Sequence, residues 1–220
     1  MGNPSQFSRE IARRAHQLLA ELYNDLPESS PGRGLKLKAT FLLAIATPII
    51  SVPIERLARQ KEHLGEEKSA NGIEDAITAK TPVGEAPFYA GCWQYHKQVK
   101  GEAFPRLAVD GFPPDIIDGL EADDALTAAK QLSSNEFCSN LRNALSHGSV
   151  FYLDAQGRSS ENIRVSRFAF VSTDRQRNPR ALHIQSVTMA DFRAFLGKWV
   201  DWLQNPAASN SDKVAPANPK

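Results

Sequence analysis

Three side chains with complementary chemistry lie within six positions of one another: Arg142, Asn143 and His147. Arginine keeps its charge at any ordinary pH and holds an anion through a planar fork of donors. Histidine exchanges a proton near neutrality, so it can act as base or as acid. An asparagine four residues before a histidine on a helix sits one turn away and can orient the imidazole or bind an oxygen of a substrate. The chemistry open to such a set is proton transfer beside a stabilised negative charge. Of the five histidines, His147 alone has an arginine five positions before it.

These residues need a helix to position them. Ser133 or Ser134 is suited to cap its start and Gly148 to end it. On a wheel of about 100° per residue, Arg142, Asn135, Ser146, Ser139, Asn143, Glu136, His147 and Asn140 fill a continuous arc of roughly 160°. Phe137, Cys138, Leu141, Ala144 and Leu145 fill the opposite side, which is the side for a core. The polar arc holds no lysine and one acid, and is built instead from asparagine, serine, histidine and arginine. Asparagine and serine are mediocre helix formers, so such a face points to selection for hydrogen bonding rather than for solvation alone. Ser146 and Glu136 share the arc and are candidate helpers. Arg142 and His147 lie about 140° apart on an ideal helix, so two facing copies of the helix converge them better than one does.

The run Leu141-Arg142-Asn143-Ala144-Leu145-Ser146-His147 resembles the signature of the HEPN group of helical RNA-cleaving and RNA-binding proteins. That signature is an arginine, a polar residue, three variable positions and a histidine, near the end of a helix. With the apolar, proline-bearing helix earlier in the chain and the strand that follows the motif, the pattern is similar to a plasmid-associated bacterial HEPN subfamily. The resemblance extends over residues 5–204, is specific at 135–155, and offers no counterpart for 65–120. It implies a mainly α fold: a HEPN-like antiparallel helical bundle with a β-hairpin or small β-sheet after the motif helix. It also implies a metal-independent endoribonuclease of toxin or defence type, using no cofactor and no metal. The implied partners are RNA, a second copy forming a composite site at the paired motif helices, and a cognate antitoxin. Arg142, Asn143 and His147 become the catalytic residues. Cleavage by the 2′-hydroxyl needs a base for that proton, an acid for the leaving 5′-oxygen, and a fixed cation for the phosphate. A non-catalytic HEPN module binding RNA, a nucleotide or a protein stays open beside this, as does a helical regulator acting through its interface.

A chain of 220 residues suits one domain over 1–204, with a disordered tail at 205–220 that is small, polar and proline-bearing. The net charge of +1 excludes a globally basic nucleic-acid binder, so any RNA affinity must be local. Residues 158–180 carry Arg158, Arg164, Arg167, Arg175, Arg177 and Arg180 against two acids, Glu161 and Asp174, and make a candidate basic hairpin for RNA backbone contacts, or a plainly solvated one. The polar opening predicts no secretory leader and the two cysteines make no disulfide framework, which together point to the cytoplasm. Thr40–Ile54 is apolar but short and interrupted by Pro48 and Pro53, which predicts a kinked core helix and not a membrane span. Cys92 and His96 have turn-like spacing but no second ligand pair for zinc, and Cys138 falls on the apolar face. Periodicity predicts helices over 7–22 and after Thr188, which with Asp191 resembles a capping pair, and strands near 149–153, 163–171 and 181–187. Residues 65–120 read as an insertion with one or two short helices, whose aromatics Phe88, Tyr89, Trp93 and Tyr95 are for core packing or for base stacking.

Overall fold

The computed structural model describes residues 6–27, 37–59, 72–99, 104–159, 164–173 and 180–206. The expected helix end near His63 and most of the expected tail lie outside them. The first helix, α1 (Phe7–Leu22), buries Ala12, Ala15 and Leu19 at helical spacing. Beside it runs α2 (Leu37–Pro53), which buries Leu42, Ala46, Ile49 and Ile50 and packs on α1. By length and composition Leu37–Leu57 could cross a membrane, yet its inner face is packed in the protein's own core.

The two prolines of α2 act differently. The helix continues through Pro48 and ends at Pro53, beyond which Ile54–Arg59 winds as a π-helix. A proline at 53 has no N–H for the carbonyl of Ile49, one turn back, and a buried carbonyl left alone is costly. The indole of Trp199 fills that place: its Nε1 donates to the Ile49 carbonyl oxygen at 3.0 Å. Trp199 belongs to α8 (Met189–Gln204), the last helix, which starts on Thr188, whose hydroxyl accepts from the Asp191 amide at 3.0 Å. That pair is the one the sequence predicts.

Between α2 and α8 the chain builds α3 (Ile73–Thr78), a single 3-10 turn at Val83–Glu85, and the strand β1 (Gln94–Val99). It then forms α4 (Leu107–Asp110), α5 (Pro114–Glu121), α6 (Ala125–Gln131) and α7 (Ser134–His147). Three strands follow: β2 (Val150–Leu153), β3 (Arg167–Thr173) and β4 (Ala181–Thr188). They pair antiparallel with β1 in the order β1-β4-β3-β2.

This sheet lies between two apolar layers. Phe168, Phe170 and Val187 face the main core with the long helices, while Leu153, Ala169, Val171, Leu182 and Ile184 face a smaller core with Leu107, Phe112, Ile116 and Leu120. Strands covered on both sides read as continuous apolar runs rather than alternating ones. The fold is mainly α with a small antiparallel sheet, as expected, but the sheet is larger than a hairpin. Its fourth strand comes from residues 94–99, in the stretch that reads as an insertion. Phe88 and Trp93 are buried, so they are core residues and cannot stack on bases.

Replacing Trp199 with phenylalanine should leave the Ile49 carbonyl unpaired and lower stability by about 1–3 kcal/mol. Urea unfolding checks this, and an unchanged midpoint would show that the indole bond contributes nothing.

Candidate functional site

The motif helix α7 is closed at both ends. At its start Ser133 and Glu136 form a reciprocal cap: the Ser133 hydroxyl accepts from the Glu136 amide at 3.2 Å, and the Glu136 carboxylate accepts from the Ser133 amide at 3.2 Å. The next two free amides, Ser134 and Asn135, donate to the carbonyls of Thr81 and Ala79, each at 3.1 Å. Residues 79–81 thus satisfy first-turn donors that no helix can satisfy internally. At its end Gly148 has φ of 66°, a left-handed turn favouring glycine, and the Ser149 amide donates to the Ala144 carbonyl at 2.9 Å before the chain enters β2.

On the core side Phe137, Cys138, Leu141 and Ala144 are buried. Burial pushes the Cys138 thiol well above its ordinary value, which makes it a packed residue and not a nucleophile. Asn140, at the edge of the polar arc, is also buried: its Oδ1 accepts from the Ser172 hydroxyl of β3 at 2.8 Å. It ties helix to sheet and leaves the candidate surface.

Of the predicted set, His147, Ser146 and Asn143 remain on the outward side. His147 and Ser146 are exposed in the last turn, and Asn143 is half-buried one turn earlier. Among the described residues the His147 ring meets no charged or hydrogen-bonding partner. Glu136 is held in the cap, eleven residues and roughly 16 Å along the helix from His147, so within one chain it cannot assist that imidazole.

Arg142 has a partner that sequence reasoning missed. Its Nε lies 2.8 Å from Glu55 Oε1, with side-chain exposures of 12% for Arg142 and 33% for Glu55. The buried Nε–H is not aligned on that oxygen as a hydrogen bond, so the pair is held by charge and proximity. Glu55 sits in the π-helical turn just after Pro53. The sequence offers only each partner singly: Glu55 is the first charged residue after Lys38, and Arg142 is the one cation fixed in charge on α7.

The predicted basic hairpin is partly neutralised. Arg158 closes a turn on Asp154, with Nε 3.0 Å from the carboxylate. Burial pushes the Asp154 carboxyl up, but amides of Arg158 and Gln156 and the Arg158 guanidinium outweigh it and hold it below its ordinary value. Arg167, at the start of β3, is half-buried; burial draws its pKa down, opposed by the charges of Glu121 and Asp191. Arg164 and Arg180 are exposed, and Arg175 and Arg177 lie outside the described residues. Cys92 is exposed, while His96 bonds Gln98 at 3.1 Å, and the described residues contain no group of three ligands for a metal.

A helical core whose capped helix carries Arg142, Asn143 and His147 and runs directly into a small sheet has the form of a HEPN domain. The chain belongs to the family described as HEPN pEK499 p136, whose model matches residues 1–209. That match runs through 65–120, for which the motif alone offers no counterpart. No curated protein and no solved structure matches the chain.

Ser133→Ala removes the cap's hydroxyl and should cost about 1 kcal/mol, seen as a lower unfolding midpoint. Full wild-type stability in that variant would mean the 79–81 contacts suffice alone.

Proposed function

We propose that the protein is a metal-independent endoribonuclease whose reacting groups are Arg142, Asn143 and His147. The observation that carries this reading is the placement of His147: it is exposed at the end of a helix whose other face is core, with Asn143 one turn behind it. Its imidazole therefore meets solvent and substrate without contributing to packing.

In the proposed reaction a ribose 2′-oxygen attacks the adjacent phosphorus while the bond to the 5′-oxygen breaks. One imidazole takes the 2′-hydroxyl proton and a second, protonated, supplies the proton that the departing 5′-oxygen needs. Arg142 stabilises the charge building on the non-bridging oxygens. The products are a 2′,3′-cyclic phosphate and a 5′-hydroxyl. Because Arg142 and His147 diverge by about 140° on one helix, two copies of α7 facing each other bring the complementary groups onto one phosphate. A homodimer with RNA in the shared cleft follows. Arg164 and Arg180 are exposed arginines on which flanking phosphates would rest, while the exposed Arg158 is paired with Asp154. A toxin or defence role, with a neutralising protein, is consistent with such an activity.

His147→Ala should abolish cleavage of total RNA in excess EDTA while leaving the circular dichroism spectrum and unfolding midpoint unchanged. Mapping of fragment ends tests the chemistry: cyclic phosphates from wild type and none from the variant are expected. Equal cleavage by both would remove His147 from the reaction. Binding of RNA by both without cleavage would favour a non-catalytic module.

A further inference from the structure

We infer that Glu55 is a positioning residue for Arg142, fixing the guanidinium through its Nε side so that its terminal nitrogens are presented to a substrate phosphate; this rests on the ribonuclease reading above. Three features of the pair converge on this role. The first is distance and burial. Nε of Arg142 lies 2.8 Å from Glu55 Oε1, and the arginine side chain is only 12% exposed while the glutamate is 33% exposed. A guanidinium so enclosed needs a fixed counter-charge, because an isolated buried charge is strongly disfavoured. The second is which atom is engaged. Arginine offers five N–H donors, and with the carboxylate beside Nε the terminal nitrogens stay available for bidentate phosphate binding.

The third is how Glu55 arrives there. It follows Pro53 in a π-helical segment, a rare backbone form that recurs at functional positions. The prolines and the Trp199 bond to the Ile49 carbonyl fix where that segment leaves α2. The backbone that carries the acid is therefore held by core contacts rather than by the ion pair itself. An accidental surface pair between long flexible side chains has none of this support and contributes little.

The role differs from neutralisation. A carboxylate that merely competed with RNA for Arg142 would weaken binding, and its removal would raise activity. A positioning carboxylate acts mainly after binding: the misplaced guanidinium still attracts RNA but stabilises the transition state poorly. Because the Nε–H is not aligned on the oxygen, charge rather than hydrogen-bond shape holds the pair. Glu55→Gln keeps the shape and loses the charge, whereas Glu55→Asp keeps the charge on a shorter arm.

The test uses the full chain, a short single-stranded RNA, and the same RNA with 2′-deoxy sugars, which binds but cannot react. Glu55→Gln is expected to lower kcat about tenfold or more, with KM and affinity for the deoxy analogue changed less than threefold. Glu55→Asp should recover most of the loss. A double variant, Glu55→Arg with Arg142→Glu, should regain the unfolding midpoint that either single reversal loses, yet stay inactive. An unchanged kcat in Glu55→Gln, a faster reaction, or a loss of kcat that follows the loss of folded protein would each overturn the assignment. If wild type itself does not cleave, the ribonuclease reading fails separately. The placement of Arg142 is then read from its Nε–H resonance. A distinct wild-type signal that shifts on adding the deoxy analogue, and that merges with the exposed arginines in Glu55→Gln, supports the positioning role. A signal insensitive to Glu55→Gln refutes it.

Discussion

Much of this molecule depends on one carbonyl. Pro53 cannot donate to the oxygen of Ile49, and the indole of Trp199, 150 residues further along the chain, does so instead. A buried, unpaired carbonyl would oppose folding by an amount comparable to a sizeable part of a domain's net stability. The bond therefore fastens the last helix to the second one at a defined height and rotation. Trp199 is then held within an aromatic core, 4.9 Å from Phe88 and 5.9 Å from Phe195 between ring centroids. Trp93 continues that core to Phe137 of the motif helix at 5.0 Å and to Phe170 of the sheet at 5.9 Å. A missing amide hydrogen is thus linked through packed rings to the placement of α7.

The motif helix is set by its surroundings and leaves its outer row for other work. Its first amides are satisfied by a cap and by the 79–81 segment, its last turn by a left-handed glycine, and its flank by the Asn140–Ser172 bond to β3. None of these devices uses Arg142, Asn143 or His147. The scaffold thus holds Arg142 through Glu55 and leaves Asn143 and His147 outside its own caps and ties, so these polar groups are fixed by neighbours rather than by one another.

The sequence made some of this legible and hid the rest for physical reasons. Helices α1, α7 and α8 carry clear periodicity and end signals, so their bounds could be read from Ser133, Gly148 and the Thr188–Asp191 pair. Strands β2 to β4 were legible because they alternate or run apolar between turns. The strand at 94–99 was not: Gln-Tyr-His-Lys-Gln-Val is a half-exposed edge whose most exposed residues are Lys97 and Val99, and its identity comes from pairing with β4, a partner distant in sequence. Position on the wheel also placed Asn140 with the outward set, because a wheel records angle and not what stands opposite. The ion pair of Arg142 was hidden for the same reason. Nothing local to position 142 says that a π-helical turn delivers Glu55 to it.

That pair ties together two positions that would otherwise drift apart. His147 stands in solvent, so its replacement needs no compensation in the packing. Arg142 is mostly enclosed, and a change there strands a carboxylate, just as a change at 55 strands a guanidinium. Inheritance across related chains should therefore treat the two sites unlike His147: positions 55 and 142 should change as a couple, retaining opposite charges or losing both, while 147 varies alone. The couple records whether a lineage has kept this architecture, a constraint that does not bear on the histidine.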